Sequence, residues 1–443
     1  MLPNPHKRES PADRLNPQLN ALISIHRAQA LASARQADQA LAHGASAGLL
    51  HGVTITIKDN IDVAGQPTTA GASFLANNIP VVDASVVSRL QHAGAVIIGK
   101  ANMAELAFGS RSYSAVGGQC RNPWNTDHIP GGSSGGSAVC VAADMCLGSL
   151  GTDTGGSVRH PASATGVSGL RPTLGRVSTR GVLPVSQHSD TVGPLARSVV
   201  DVARIFAVIA GFDAQDPSSI DAPLPDFLPS LHDGIAGRRI GIPLNYYFDD
   251  VEPEVGQAVM AAARTLEKAG ARLVDVEVPM VSESHLHQAH ASLAGICNVH
   301  RERLLTCPET ITASLLERMR LGLDVTGVQY AEAMVSAANF RLALRKLFST
   351  IDLLLSPTVR TSPPLIEDGA SLQDATKATS LNTYPGSLAS IPGLSIPCGL
   401  TSSGLPIGLQ LEAPWWQEPL LFQAGVAFQR TTNFHSEKPS LIC

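Results

Sequence analysis

The sequence predicts an α/β protein with a central mixed β-sheet that is covered by helices on both faces. The first observation is size and composition: 443 residues, of which 44% are hydrophobic and 16% charged, are enough to build a large buried core. The second is that short β-branched segments alternate with segments of helical periodicity, which is typical of layered α/β architectures. The third is the presence of two glycine- and serine-rich turns between such segments.

The N-terminal half supplies most of this alternation. Apolar residues recur at helical spacing over residues 18–43, which predicts one helix. The β-branched segment 51–57 predicts a strand that ends at Lys58. Further along, the pattern predicts helix 84–92, strand 95–98, a short helix 138–143, a short apolar segment 147–150 and helix 198–210 with Gly211 as its C-cap.

The C-terminal half begins after a stretch rich in Pro, Asp and Ser over residues 212–236. Its pattern predicts strand 238–244, helix 253–269, strand 271–278, a mostly helical region 285–348, strands 351–357, 394–400 and 405–411, and a closing helix 418–431. We expect one domain over 1–443, in which strands from both ends of the chain share a sheet. Within it we expect a catalytic core over 52–211 and a variable, mostly helical excursion over roughly 212–350.

Charge and hydropathy restrict the classes of partner. The net charge is −5 with a pI near 6.3, whereas nucleic-acid-binding proteins usually carry a strong basic excess, so we expect no nucleic-acid partner. The apolar run 138–150 is interrupted by Asp144 and is too short to cross a bilayer. The N-terminal segment 1–17 is polar and Pro-rich and lacks the apolar core of a secretory signal. These features predict a cytoplasmic protein without a membrane partner.

The seven cysteines indicate neither a disulfide framework nor a zinc site. They are odd in number and form no C-x-x-C pair, as expected of reduced thiols. They stand at positions 120, 140, 146, 297, 307, 398 and 443. We therefore expect no metal.

The two Gly/Ser runs, 131–137 and 151–157, are the strongest candidates for chemistry. Glycines allow a tight turn to point several backbone N–H groups at one position, which is what an oxyanion hole requires. In the second run, Thr154, Gly155 and Gly156 lead to Ser157, so that this serine is a candidate nucleophile beside its own oxyanion hole. Neither run is a P-loop, because no lysine follows at the required position. Residue types alone leave a catalytic turn and a structural loop equally open.

A serine nucleophile needs a base to take its proton. His160 and His188 are available, but neither lies in a recognisable nucleophile-elbow motif. The other candidate is Lys58, because burial at the end of an apolar strand disfavours the charged ammonium and lowers the pKa of the amine. Taken alone, Lys58 is equally consistent with a strand-end lysine that pairs with Asp59.

Taken together, these segments resemble the amidase signature family. The resemblance covers nearly the whole chain beyond the N-terminus, and its central block is long and ordered. It rests on GVTITIKDNID (52–62), AGAVIIGKANMAELAFG (93–109), CRNPWN (120–125), PGGSSGGSA (130–138), GTDTGGSVRHPAS (151–163), GLRPTLGRVS (169–178), SDTVGPLARSVVD (189–201), PCGL (397–400) and LPIGLQL (405–411).

The resemblance implies a Ser–Ser–Lys catalytic triad. Its nucleophile corresponds to Ser157, its bridging serine to Ser133, 24 positions earlier, and its lysine to Lys58. The family's bridging serine follows a cis peptide bond, here Gly132–Ser133. Ala107 stands where the family often lines its pocket. The resemblance implies no metal and no organic cofactor.

Other residues of the block receive structural interpretations. Asp153 and Arg159 flank the nucleophile turn and are expected to hold it by hydrogen bonds or an ion pair. Glu105, Arg121 and Asp190 are expected to support the scaffold. Ser134 and Ser137 are expected to satisfy loop backbone groups.

The family includes general amidases, aryl-acylamidases, carbamate hydrolases and the glutaminase component of glutamyl-tRNA amidotransferase, its A subunit. That component holds glutamine with an Asp in the segment matched by 377–393, where Ser380 stands here. The resemblance thus favours a hydrolase of a neutral small molecule, such as an aryl amide or a carbamate, with pocket walls from 285–385 and a possible homodimer. The alternatives are a non-catalytic scaffold of the same fold and the amidotransferase glutaminase.

Overall fold

A computed structural model describes residues 10–44 and 47–442. The strands are β1 (Leu22–Ile25), β2 (Thr54–Lys58), β3 (Val96–Ala101), β4 (Tyr113–Ser114), β5 (Gly118–Gln119), β6 (Gly148–Asp153), β7 (Ser168–Arg171), β8 (Thr191–Ala196), β9 (Arg239–Pro243), β10 (Arg272–Val276), β11 (Leu353–Pro357), β12 (Gly393–Leu400) and β13 (Pro406–Glu412). The α-helices are α1 (Pro11–Leu19), α2 (Arg27–Ala42), α3 (Ser85–His92), α4 (Gly135–Ala142), α5 (Arg159–Thr165), α6 (Val199–Ile209), α7 (Pro253–Lys268), α8 (Ser284–Val299), α9 (Arg301–Thr306), α10 (Ala313–Leu323), α11 (Gly327–Leu347), α12 (Leu372–Ser380), α13 (Tyr384–Ala389) and α14 (Glu418–Gln429).

Eleven of these strands form one mixed sheet, in the order β1-β3-β2-β6-β8-β7-β12-β13-β11-β9-β10. Strand β2 runs parallel to both of its neighbours, β3 and β6, whereas β8 pairs antiparallel with β6 and β7. Strands β12 and β13, the last two in the chain, lie in the middle of the sheet, so both ends of the chain contribute to it. The predicted mixed α/β sheet is confirmed.

Helices bury both faces of the sheet. Along β8, Val192 contributes to the core formed with α3, α6, α7 and α14, whereas Leu195 contributes to the core formed with α1, α4 and α5. Side chains an odd number of residues apart on a strand point to opposite faces, so the two cores lie on opposite sides. Every residue of β6 and β8 is buried, as expected for strands that are covered by helices on both faces of the sheet.

The prediction of one helix over 18–43 is wrong. The chain instead forms α1, then β1, then α2. Strand β1 pairs antiparallel with β3, where Leu22 lies opposite Ala101. Hydrogen bonding to a sheet edge therefore decides the conformation of a segment whose side chains alone follow a helical period.

Two further segments are longer or richer in strand than predicted. The apolar segment 147–150 extends as β6 to Asp153, because Gly151 pairs with Gly193 and Asp153 with Thr191 of β8.

Strands β7 and β8 are not predicted, because their sequences carry no strong alternation of apolar and polar residues. The region 212–350 contributes β9 and β10 to the sheet as well as helices, and the division of the chain at these positions stays a prediction.

In the described part of the chain, no helix has the length and hydrophobicity needed to cross a membrane. The six cysteines in that part are free thiols, and five of them are buried. Cys443 and residues 1–9 of the polar N-terminal segment lie outside the described residues.

Candidate active site

Lys58 occupies the last position of β2, which lies between β3 and β6 as the third strand from one edge of the sheet. The preceding Ile55 and Ile57 are buried in the core, and Lys58 itself is 0% exposed. It forms no ion pair with its neighbour Asp59, because that carboxylate pairs with Lys100 at 3.3 Å. The strand-end ion pair considered for Lys58 is thus not what the structure shows.

The Lys58 amine lies between the two Gly/Ser turns. Its Nζ donates to Ser133 Oγ and to Thr152 Oγ1, each at 2.7 Å, and to the Thr152 carbonyl at 3.4 Å. Asn60 donates to the same Thr152 hydroxyl at 3.3 Å. The three contacts of Nζ are those of the charged ammonium. In the neutral amine, which has two N–H bonds and one lone pair, Thr152 provides acceptors for both N–H bonds, and the lone pair is then free to accept from the Ser133 hydroxyl.

Burial lowers the pKa of Lys58 to about 7, although the charges of Asp153 and Asp190 oppose this shift. A lysine with this pKa is substantially neutral near pH 7. It is therefore able to accept a proton, which an exposed lysine is not.

Ser133 follows a cis peptide bond with Gly132, as the family resemblance implies. The backbone holds it at the start of α4, because its carbonyl accepts from Ala104 N at 3.1 Å. The neighbouring Ser134 and Ser137 donate to the carbonyls of Thr152 and Leu150 respectively, at 3.2 and 3.0 Å. These two serines satisfy backbone groups of β6, as predicted.

The turn that carries Ser157 is organised around the buried carboxylate of Asp153. Its oxygens accept backbone N–H groups of Gly156 (2.7 Å), Val158 (3.2 Å) and Arg159 (3.4 Å). The same carboxylate pairs with the guanidinium groups of Arg159 and Arg171 at 3.1 and 3.0 Å. These two cations hold the pKa of Asp153 well below its usual range despite burial. The structural interpretation of Asp153 and Arg159 agrees with this geometry.

The predicted oxyanion donors divide into two groups. The N–H of Gly156 donates to Asp153 Oδ1 at 2.7 Å in this structure, and its assignment as an oxyanion donor stays a prediction. Within the described residues, the N–H groups of Thr154, Gly155 and Ser157 have no acceptor, and all three residues line the cavity. Gly156 is required for another reason: its φ is 123°, and a Cβ there would lie 2.1 Å from His160 Nε2.

His160, rejected as a base from the sequence, connects the two turns. Its Nε2 lies 2.7 Å from the Thr383 hydroxyl, which donates to the Gly155 carbonyl at 2.7 Å. Burial lowers the pKa of His160 to about 4, against the raising effects of the Asp153 charge and of a hydrogen bond to the Gly132 backbone, so the ring is neutral near pH 7. The Gly132–His160–Thr383–Gly155 chain thus joins the Ser133 turn to the Ser157 turn. This chain of hydrogen bonds is not recognisable from the sequence, because Thr383 is 223 residues from His160.

A narrow cavity opens at Ser157, and the empty space in it and at its mouth, open solvent included, is about 350 Å³. Besides backbone from both turns, its wall contains polar groups from distant helices. It is lined by Ala107, Phe108, Gly109, Ser110, Gly132, Thr154, Gly155, Ser157, His160, Ser292, Arg318, Thr376 and Tyr384. Ala107 is thus at the pocket, as the resemblance implies, and helices α8, α10, α12 and α13 supply walls from the expected region 285–385.

Arg318 of α10 is the cationic group of this cavity. It is 4% exposed, and its Nε donates to Gln373 Oε1 at 3.0 Å while Nη1 donates to the Phe108 carbonyl at 2.9 Å. Its guanidinium lies 3.7 Å from the Phe108 ring centroid. Within the described residues no carboxylate pairs with it. Arg318 is not recognisable from the sequence, since nothing in its local sequence separates it from its neighbours on α10.

Ser380, which stands where the amidotransferase glutaminase has an Asp, is buried outside this cavity wall. Its hydroxyl donates to the Thr376 carbonyl at 2.7 Å and lies 3.3 Å from His285 Nε2. His285 stacks on Tyr384 with ring centroids 4.7 Å apart. Burial lowers the pKa of His285 to about 4, so this group is neutral near pH 7.

The residues assigned to the scaffold do not line the Ser157 cavity but hold segments around it. Asp190 accepts from Thr154 Oγ1 at 2.6 Å and from two loop N–H groups, and Arg121 donates to the Thr126 carbonyl at 2.8 Å. Glu105 accepts from Thr312 at the start of α10 and so helps to place the helix that carries Arg318. In the described ranges, no cluster of His, Cys, Asp and Glu side chains has the makeup of a metal site.

Comparison with known proteins places this geometry in a family. The Amidase family model matches residues 10–422. The chain belongs to the amidase signature family. The A subunit of the glutamyl-tRNA(Gln) amidotransferase from Synechococcus sp. (strain RCC307) is 37% identical over 96% of this chain and 92% of that protein. Membership supports an amidase-type enzyme that acts on C–N bonds.

Solved structures of the family have the same fold. One, described as a vestigial protein complex that reveals the origins of an s-triazine catabolic enzyme, superposes with a TM-score of 0.90 at 32% identity, over 95% of this chain and 93% of that one. The peptide amidase of Stenotrophomonas maltophilia superposes with a TM-score of 0.81 at 32% identity, over 95% and 91% of the two chains.

Proposed function

We propose that the protein hydrolyses a small amide or carbamate that carries a carboxylate, through an acyl-enzyme on Ser157. The observation that carries the proposal is the hydrogen bond of 2.7 Å between buried Lys58 and Ser133, beside the turn that presents Ser157 to the cavity. A neutral amine, a bridging hydroxyl and a cavity-facing hydroxyl are the parts needed to activate a serine without histidine.

In acylation, Ser157 Oγ attacks the carbonyl carbon while its proton passes to Ser133 Oγ, and the Ser133 proton passes to the Lys58 lone pair. The N–H groups of Thr154, Gly155 and Ser157, free of other acceptors in the described structure, are the candidates to bind the oxyanion. As the C–N bond breaks, Lys58 returns its proton through Ser133 to the departing nitrogen, which leaves as a neutral amine or ammonia.

In deacylation, water attacks the Ser157 ester and gives one proton through Ser133 to Lys58. Collapse of the second tetrahedral intermediate releases the acid and breaks the bond to Ser157 Oγ, which recovers the proton by the same path. The enzyme is thereby restored, and no redox step or cofactor enters the cycle.

The cavity supports the choice of substrate. The guanidinium of Arg318 donates to Gln373 and to the Phe108 carbonyl but has no carboxylate partner among the described residues, which favours a substrate that carries an anionic group. An arginine that lacks a carboxylate partner in a buried cavity is suited to bind a substrate carboxylate or another strong acceptor. This replaces the expectation of a neutral substrate with that of a small anionic one.

A second candidate is the glutaminase half of an amidotransferase, acting with partner subunits and tRNA. The 37% identity to the Synechococcus amidotransferase protein favours it, and glutamine also carries a carboxylate that suits Arg318. Against it, none of the described residues that line the cavity is acidic, so the α-ammonium of glutamine has no ionic partner there. A non-catalytic scaffold is a third hypothesis, which an intact Lys58, Ser133 and Ser157 disfavour.

The deciding experiment is a hydrolysis screen of the isolated chain against succinamate, propionamide, acetanilide, simple carbamates and L-glutamine. We expect turnover of the carboxylated amide and labelling of Ser157 by a fluorophosphonate. In Arg318→Met, KM for succinamate should rise at least about tenfold, while labelling of Ser157 persists. Preference for glutamine would select the second candidate, and absence of labelling would select the scaffold.

A further inference from the structure

Helix α11 (Gly327–Leu347) has apolar residues on two different sides. One side packs into the core through Ala333, Ala337, Phe340, Leu344 and Leu347, which are all buried. These positions are spaced by three or four residues, as expected for a helix face against a core. An ordinary surface helix would be polar elsewhere.

Away from that core side, α11 carries a second apolar row, which we call the α11 seam: Val328, Ala331, Val335, Ala338 and Leu342. All five are exposed. The three large members are 68%, 61% and 65% exposed in chain order. Single exposed apolar residues are common on protein surfaces, but these follow a spacing of 3, 4, 3 and 4 residues, which is the a/d repeat of a coiled coil.

We propose that the α11 seam is the surface on which a second copy of this chain docks, with the two α11 helices antiparallel about a two-fold axis. The pattern is self-complementary. With the axis midway between residues 336 and 337, Val335 of one copy lies opposite Ala338 of the other, and Leu342 lies opposite Ala331. Val335 and Leu342 thus each meet an alanine, which lets the two helices approach closely over the centre of the seam, whereas Val328 lies opposite Arg345 at its end.

Charge selects the antiparallel direction. Glu332 stands near the start of the seam, whereas Arg345 and Lys346 stand at the end of the helix. In antiparallel packing the acidic start of each helix lies beside the basic end of its mate, and the two helix dipoles also oppose one another. Parallel packing would instead place the basic ends of the two copies together. In this register Glu332 lies level with Arg341 of the other copy, and Lys346 lies about one helical turn further along, within reach of a long side chain. Arg345 lies 5.5 Å from the Trp415 ring, so Lys346, which is exposed, is the basic group suited to a charge exchange with Glu332.

The area that two α11 helices can bury determines how tightly we expect the dimer to form. A helix of 21 residues is about 31 Å long, and one helix pair of this length buries an area at the lower end of stable interfaces. We therefore expect a concentration-dependent dimer with a dissociation constant that is roughly micromolar. The seam shares no residue with the lining of the Ser157 cavity, so dimerisation and hydrolysis are separately measurable.

The test is the mass of the full chain in solution, measured by sedimentation or light scattering across a concentration series. Wild type should reach twice the monomer mass of 46.3 kDa. Leu342→Glu and Val335→Glu should weaken the dimer at least about 100-fold, because each places two carboxylates in the seam. Leu305→Glu is the matched control, since Leu305 of α9 is 64% exposed and lies outside the seam. It should leave the dimer intact.

The direction of packing has its own test. Glu332→Lys should raise the dissociation constant roughly threefold to tenfold, and adding Lys346→Glu to it should reverse most of that loss. No reversal would overturn the antiparallel arrangement. A wild-type chain that stays monomeric up to about 100 µM, or a Leu342→Glu variant that dimerises as wild type does, would overturn the proposal itself. All variants should retain hydrolytic activity and circular dichroism, which separates a failed dimer from a failed fold or a wrong function.

Discussion

Lys58 and Ser133 are joined by a hydrogen bond of 2.7 Å although they lie 75 residues apart in the chain. The bond forms because β2 ends beside β6, and the first Gly/Ser turn enters α4 next to that end. Parallel neighbours in a sheet bring their carboxyl ends to one edge, and here that edge collects the amine, the hydroxyl and the Ser157 turn. The proposed chemistry rests on this arrangement.

The first prediction concerns the proton path. Ser157→Ala and Lys58→Met should each lower kcat by roughly 10³-fold or more, because one removes the nucleophile and the other the base. Steady-state hydrolysis with succinamate measures this. Lys346→Met, at the exposed end of α11, is the control for loss of a lysine charge and should turn over as wild type does. Near-normal turnover by either triad variant would exclude the proposed path.

The second prediction is a pH profile. The pKa of Lys58 lies near 7, and only the neutral amine accepts a proton. The value of kcat/KM should therefore be low at pH 5, rise through a midpoint near 7 and level off at higher pH. Below the midpoint, a plot of log(kcat/KM) against pH should have a slope of one. A rate that stays constant from pH 5 to 9 would show that Lys58 is not the titrating base.

The third prediction concerns His160 as a positioning residue. His160→Ala removes the link between the Ser133 and Ser157 turns and should reduce kcat about 10- to 100-fold. Since the ring is neutral and does not carry the proton, the midpoint of the pH profile should stay near 7. Thr383→Val breaks the same chain at its other hydrogen bond and should give a similar loss. A displaced midpoint in His160→Ala would instead indicate a direct role in proton transfer.

These residues also show what the sequence predicts and what it does not. Lys58, Ser133 and Ser157 are recognisable because each lies in a local pattern, an apolar strand end or a glycine turn. His160 and Arg318 are not, since their partners Thr383, Gln373 and Phe108 lie on other elements, and only the folded chain brings them together.

The elements of the fold likewise include some that the sequence predicts and some that it does not. Strongly patterned segments such as β2 and α7 are predicted to within a few residues, because β2 is a short β-branched segment that is buried on both faces and α7 has one row of buried apolar residues at helical spacing. Strands β1 and β8 were missed because they owe their conformation to neighbours in the sheet: β1 to β3, and β8 to β6 and β7. Availability of individual N–H groups, as at Gly156, is equally invisible in a sequence.

The fourth prediction addresses stability. Asp153→Asn should reduce the free energy of unfolding by about 3–5 kcal/mol, because it leaves the buried guanidinium groups of Arg159 and Arg171 without their shared counter-ion. Urea denaturation measures the change. Asp275→Asn, on the exposed edge strand β10, is the matched control and should have little effect. Equal stability of the two variants would show that the Asp153 ion-pair cluster does not hold the nucleophile turn.

The fifth prediction uses the close approach of Gly155 to Tyr384. A Cβ at residue 155 would lie 2.3 Å from Tyr384 Cε1, so Gly155→Ala must displace either the tyrosine or the oxyanion turn. Both outcomes disturb the cavity, and kcat/KM should fall at least about 10-fold, with the loss in kcat if the turn moves and in KM if only Tyr384 moves. Gly327→Ala is the control, because nothing lies within 4 Å of a Cβ there and its backbone is helical. If Gly155→Ala behaved like Gly327→Ala, contact between Tyr384 and the nucleophile turn would have no part in shaping the site.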